Sequence, residues 1–235
     1  MDIILIPGLW LDASSWDKVI PSVQHAGHRT HPLTLPGMGS KDADRSKITL
    51  RDHVDAVVEV IDSLDWAGGQ VVFVGHSGGG AIAHAAVDAR PERVARVVYV
   101  DSVPLGKGAV INNEFPTESG EMPLPDWSSF EEEDLKDLDD GLRTTFRERA
   151  IPSPARVATD PQQLFDERRF DVPITVISCE FPSSLIQELL EQEHAYVREL
   201  ARVRDVDYVD LPTGHWPQFT RPEELGRVIV ASLGA

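Results

Sequence analysis

The sequence predicts an α/β fold: a mostly parallel sheet of about six strands, helices on both faces, and a helical insertion. Three observations lead there. Short apolar, β-branched runs alternate with stretches of helical periodicity. Two of these runs, Ile3 to Ile6 and Val71 to Val74, are apolar throughout, as strands buried on both faces are. One of them, Val71 to Val74, passes through Gly75-His76-Ser77-Gly78-Gly79 into an Ala-rich run at Ala81, Ala83, Ala85 and Ala86, which favours helix.

In chain order, Ile3 to Ile6 is the first strand, ended by Pro7-Gly8. Ser14 or Ser15 is placed to cap a helix through Trp16, Val19, Ile20 and Val23. His28 to Leu35 reads as the second strand, closed by Pro36-Gly37. Over Leu50–Leu64 the residues Val54, Val57, Val58, Ile61 and Leu64 keep helical spacing, with acids opposite. Val71 to Val74 follows as a strand, then Val94 to Val100, which stops at Asp101. The last two strands are Val172 to Ser178 and Val206 to Leu211, and Leu185–Val203 and Glu223–Leu233 read as helices. Ligands of such sheets sit at the carboxyl ends of the strands. Ser77, Asp101, Glu180 and His215 all follow strands, so one rim should hold them.

The strand, sharp turn and helix around Ser77 set a hydroxyl at the apex of the turn. The flanking positions must be nearly free of side chain, and Gly75 and Gly79 are. The N–H of Gly78 opens the helix and is placed to donate to a developing oxyanion. The pentapeptide Gly75-His76-Ser77-Gly78-Gly79 in this context resembles the nucleophile elbow of the α/β-hydrolase superfamily. The resemblance extends over nearly the whole chain. It is closest to the short-chain, six-stranded esterases and hydroxynitrile lyases of plants and their bacterial relatives.

Composition narrows the function classes. A formal net charge of −17 makes nucleic acid an improbable partner and repels anionic membranes. No apolar run approaches the ~20 residues of a membrane span. The single cysteine, Cys179, excludes an internal disulfide and fits a reducing compartment. The amino terminus has no basic region, and its apolar run is too short for a signal peptide. A cytoplasmic protein is expected, with a small-molecule substrate and, as a partner left open, a second copy in a homodimer.

Residues 105–170 differ from the rest. They hold fifteen Asp or Glu against eight Lys or Arg, several prolines and no clear strand. They divide the chain into a core of residues 1–104 and 171–235 and an insertion that the resemblance makes a helical cap. Met122, Leu124, Trp127, Phe130, Leu135, Leu138, Leu142 and Phe146 are candidates for its apolar underside. The acidic run Glu131 to Asp134 reads as a solvated face rather than a metal site, because the insertion has no His or Cys.

A serine hydroxyl is a weak nucleophile near neutral pH and needs an adjacent base. The resemblance puts that base on the loop after the last strand, where Thr213-Gly214-His215 lies. His76 points away from the nucleophile beside it and is read as packing. The third member is a carboxylate that fixes the imidazole tautomer, and two residues compete for the role. Glu180 lies after the strand before the penultimate helix, the family's usual region, but close to the strand end. Asp101 follows the strand next after the nucleophile's own, a position that serves in some relatives, and it is favoured. Pro7-Gly8-Leu9-Trp10 resembles the family's His-Gly pattern, which implies the backbone N–H of Leu9 as the second oxyanion donor. Trp10, Phe181 and Trp216 flank these loops and, with Trp127, are candidates for the pocket wall.

The resemblance implies a serine hydrolase that needs no cofactor or metal and cleaves a small, largely uncharged ester, thioester or lactone through an acyl-enzyme. Three alternatives stay open. One is a hydroxynitrile-lyase-like enzyme, although the lysine that such enzymes place beside the substrate has no evident counterpart. The others are a cofactor-free oxygenase and a ligand receptor with vestigial hydrolysis.

Overall fold

The computed structural model describes residues 1–64 and 69–234. Six parallel strands form the main sheet: β1 (Asp2–Ile6), β2 (Arg29–Pro32), β3 (Val71–His76), β4 (Val94–Val100), β7 (Ile174–Ser178) and β8 (Val206–Asp210). Their spatial order is β2-β1-β3-β4-β7-β8. A short antiparallel pair, β5 (Glu121–Met122) and β6 (Ser153–Pro154), stands apart from it.

Alternation along the central strands splits the core into two layers. Ile4, Ile6, Val71 and Phe73 face helices α2 (Leu50–Ser63) and α3 (Gly78–Ala89). Ile3, Leu5, Val72 and Val74 face α1 (Ile20–His25) and α8 (Pro222–Ser232). A strand buried on both sides must be apolar at every position, which is why these strands read as unbroken runs. Helix α2 opens with a capping box: Thr49 Oγ1 accepts the Asp52 N–H at 3.2 Å, and Asp52 accepts the Thr49 N–H at 2.8 Å. Among the described residues no helix is long and apolar enough to cross a membrane.

Three elements differ from the sequence reading. The first expected helix is a single turn at Ala13–Trp16 followed by α1, and Asp12 rather than a serine caps the turn. Pro21 explains the break, since its ring is tolerated in a first helical turn but not further in. The long helix expected over Leu185–Val203 is α6 (Ser183–Glu191) and two single turns, Ala195–Val197 and Leu200–Arg202. Glu193, with φ of 51°, ends it in the left-handed region. Strand β2 is shorter than expected and stops at Pro32, which has no N–H to give the ladder.

The segment between β4 and β7 contains β5, β6, α4 (Asp140–Arg149) and α5 (Ala155–Thr159). Strands of two residues are too short to show alternation, so the sequence gives no sign of them. Met122, Leu138 and Phe146 of this segment pack with Trp10, Leu11 and Trp216 in a third apolar cluster. Backbone bonds join it to the core. The Ile151 N–H donates to Trp10 O at 3.0 Å, the Gly214 N–H to Lys136 O at 3.1 Å, and the His215 N–H to Asp134 O at 2.8 Å. Helices α6 and α7 (Pro217–Thr220) flank the last strand.

Candidate active site

The turn after β3 carries backbone strain. Ser77 has φ of 52° and ψ of −125°, a conformation that costs an ordinary residue of order 1–3 kcal/mol. It is held there by its N–H, which donates to Val100 O at 3.1 Å, and by its carbonyl, which accepts the Gly80 N–H at 2.9 Å. A Cβ at Gly75 would lie 2.7 Å from Gly79 O, and one at Gly79 would lie 2.5 Å from Ile6 O. Backbone fills the space on both sides of the serine, so only glycine fits. Asp101 (φ 47°) and Trp10 (φ 65°) are also left-handed, which concentrates strain at the loops after β1, β3 and β4.

Three side chains meet on this rim. Ser77 Oγ lies 2.9 Å from His215 Nε2, and His215 Nδ1 lies 2.7 Å from Asp101 Oδ2. The other Asp101 oxygen accepts the N–H groups of Cys179 at 2.9 Å and Glu180 at 3.2 Å. Both carboxylate oxygens are thus committed. Glu180 Oε1 also approaches His215 Nδ1, at 3.1 Å, but is left without a hydrogen bond. An imidazole nitrogen has one hydrogen to give, and Asp101 takes it.

Burial disfavours the charged imidazolium of His215, but Asp101 and then Glu180 outweigh it and push the pKa up to about 10. Burial raises Glu180 to about 7; His215 pulls it down and Asp134 adds to the rise. His76 goes the other way: burial and the neighbouring His215 depress it to about 3, so it is neutral. Its Nε2–H donates to the carbonyl of His215 at 2.7 Å. Sequence reasoning treated His76 as packing and missed this contact, because spacing carries no sign of a bond across 139 residues.

The loop after β1 abuts the turn. A Cβ at Gly8 would lie 3.0 Å from Ser77 Cβ, and one at Gly78 would lie 3.5 Å from Leu9 Cγ. Among the described residues the backbone N–H groups of Leu9 and Gly78 have no hydrogen-bond acceptor.

A cavity of about 730 Å³ opens beside the hydroxyl. It is lined by Ser77, Gly78, Asp101 and His215, by much of the stretch 102–111, and by Tyr196, Arg198 and Glu199. Of the four aromatic residues singled out in the sequence, none lines it. Trp10 and Trp216 are buried, and Trp127 packs between Phe130, Phe146 and Trp216 with ring centroids 5.6–5.9 Å away. Phe181, 49% exposed, lines a neighbouring cavity of about 230 Å³ with Leu185, Ile186 and Tyr196. The wall of the main cavity comes instead from irregular chain, where no periodicity exists to be read.

Asp101, Glu180 and His215 are the one group among the described residues whose potential metal-ligand atoms lie within 4.8 Å of one another. The proton shared between His215 Nδ1 and Asp101 occupies the place that a cation would need.

A strained strand–turn–helix with a serine at its apex, on the rim of a parallel sheet covered by helices on both faces, is the arrangement of an α/β hydrolase. The chain belongs to the alpha/beta hydrolase family, whose model matches residues 3–228. It is 27% identical over 249 residues to the pyrethroid hydrolase of Sphingobium wenxiniae, covering 97% of this chain and 86% of that one. Methylesterase 7 of Arabidopsis thaliana is 33% identical over 98 residues, 41% of this chain and 38% of that one. The crystal structure of another Arabidopsis methylesterase superposes with a TM-score of 0.75 over 100% of this chain and 99% of that one, at 17% identity. That last likeness is one of fold. The named relatives support hydrolase activity.

Proposed function

We propose that this protein is a serine ester hydrolase that works through an acyl-enzyme. The single observation that carries the reading is the chain of contacts from Ser77 Oγ through the His215 imidazole to Asp101, 2.9 and 2.7 Å long. Ser77 is the nucleophile. His215 takes its proton at Nε2 as Oγ attacks the ester carbonyl, then gives that proton to the leaving alcohol. Asp101 holds the tautomer and balances the imidazolium. The N–H groups of Leu9 and Gly78 receive the negative charge that develops on the carbonyl oxygen. Water, activated by the same imidazole, then releases the acid and restores the serine. Residues 105–170 form a cap, tied to the His215 loop through the Asp134 and Lys136 carbonyls. The names of the relatives, pyrethroid hydrolase and methylesterase, support an ester as substrate.

The reading is tested with p-nitrophenyl acetate. The native protein should release a burst of p-nitrophenol, and Ser77→Ala should lower turnover by roughly four powers of ten. An alanine variant that keeps most of its turnover would show that Ser77 is not the nucleophile.

A further inference from the structure

Two cations, Arg198 and Lys107, line the cavity beside Ser77, and neither has an ion-pair partner among the described residues. Among the described residues Arg198 is the one arginine whose guanidinium has neither a hydrogen bond nor an ion-pair partner. The others are engaged by carboxylates or carbonyls. In a chain with 39 Asp and Glu against 22 Lys and Arg, acids are plentiful, so an arginine without one stands out. Lys107 lines the same cavity; its Nζ lies 5.5 Å from the Phe165 ring centroid and meets no carboxylate among the described residues.

The acids of that cavity are already committed. Asp101 serves His215 and two backbone N–H groups. Glu199 accepts from His84 Nε2 at 3.0 Å and from Arg169 Nη2 at 2.8 Å. Those bonds anchor the chain at Glu199, next in sequence to the exposed Arg198. Ala81, Val103 and Ile111 supply an apolar wall. A guanidinium is always charged, and its planar fork fits a carboxylate in two parallel bonds. One guanidinium and one ammonium suit a monoanion.

We propose that the esters taken by this site carry a carboxylate at the end away from the scissile bond, bound by Arg198 with Lys107 beside it. The inference rests on the ester hydrolase reading. It revises the sequence expectation of a largely uncharged substrate: the reacting ester stays neutral while its far end does not.

The test compares matched pairs: mono-p-nitrophenyl adipate against p-nitrophenyl hexanoate for the acyl arm, and 4-acetoxybenzoate against its methyl ester for the alcohol arm. In at least one pair the carboxylate member should have about tenfold higher kcat/KM, mostly through KM. Arg198→Gln should remove most of that ratio and Arg198→Lys should keep part of it. A neutral member that does as well in both pairs, or a ratio that Arg198→Gln leaves unchanged, would overturn the proposal. Absence of turnover on all four esters would sink the hydrolase reading instead. Calorimetry of Ser77→Ala with monomethyl adipate and methyl hexanoate then decides the inference: tighter binding of the acid, lost in the Ser77→Ala, Arg198→Gln double variant, supports it, and equal binding overturns it.

Discussion

Glu180 Oε1 stands 3.1 Å from His215 Nδ1, on the edge of the imidazole that Asp101 Oδ2 meets at 2.7 Å. Two carboxylates therefore face one ring N–H, and they are not equivalent. Asp101 is locked by the N–H groups of Cys179 and Glu180, whereas the nearer Glu180 oxygen has no hydrogen bond. The sequence left the choice between these acids open, and the geometry favours Asp101.

Asp101→Asn keeps the shape but permits the wrong tautomer of His215. Ester turnover should fall roughly a thousandfold, whereas Glu180→Gln should cost about tenfold. The measurement is kcat/KM on one ester for both single variants and the double. The reverse ranking would give the role to Glu180.

The same pair sets the pH dependence. In the proposed mechanism His215 must be neutral to take the serine proton, and its pKa is raised above the ordinary 6.5 toward about 10. Activity should therefore rise with pH along a limb lying above the usual histidine range. Removing the Glu180 charge withdraws support from the imidazolium, which lowers the pKa. Glu180→Gln should thus shift the limb to lower pH, by about one unit. A limb that stays put would show that Glu180 is already neutral across the working range, and one that moves up would show that Glu180 does not support the imidazolium.

Trp127 belongs to an aromatic cluster rather than to the cavity wall. Trp127→Ala should destabilise the fold by about 2–3 kcal/mol, below the usual cost for a fully buried aromatic because the residue is half-buried. Preference among acyl chain lengths should change little. A shifted preference at constant melting temperature would return Trp127 to the substrate pocket.

His53 is buried with its Nε2–H donating to Pro36 O at 2.8 Å, and burial depresses its pKa to about 4. The unfolded chain binds this proton first, near pH 6.5, so the stability His53 contributes is present above that pH and is lost as pH falls toward 4. The loss amounts to roughly 3 kcal/mol over the window. Urea midpoints at pH 7 and pH 4.5 should differ less in His53→Gln than in the native protein.

What the sequence revealed and what it hid have one physical cause. Ser77 and Asp101 end up on one rim with His215 because the first two directly follow sheet strands and His215 lies on the loop after the last one, and apolar runs mark strands well. Strand order and register then level those ends: His76 pairs with Val100, and Val100 with Ile177. Arg198, Lys107 and Asp134 sit on irregular chain whose path is set by tertiary contacts, so no local pattern announces them. The tryptophans misled for a related reason. Proximity along the chain to a site loop brings a side chain near the site, but Trp10 turns into the aromatic cluster, with Nε1–H donating to Met122 O at 3.0 Å.

The two backbone bonds from Gly214 and His215 to the carbonyls of Lys136 and Asp134 also limit how this scaffold can be recombined. A Cβ at Gly214 would fall on the Asp134 carbonyl, so the two segments fit as a matched pair. Grafting a foreign insertion between β4 and β7 would leave the His215 loop without its seat, and grafting a foreign 213–216 loop would collide with the resident insertion. A chimera that changes specificity by exchanging residues 105–170 must therefore carry 213–216 from the same donor.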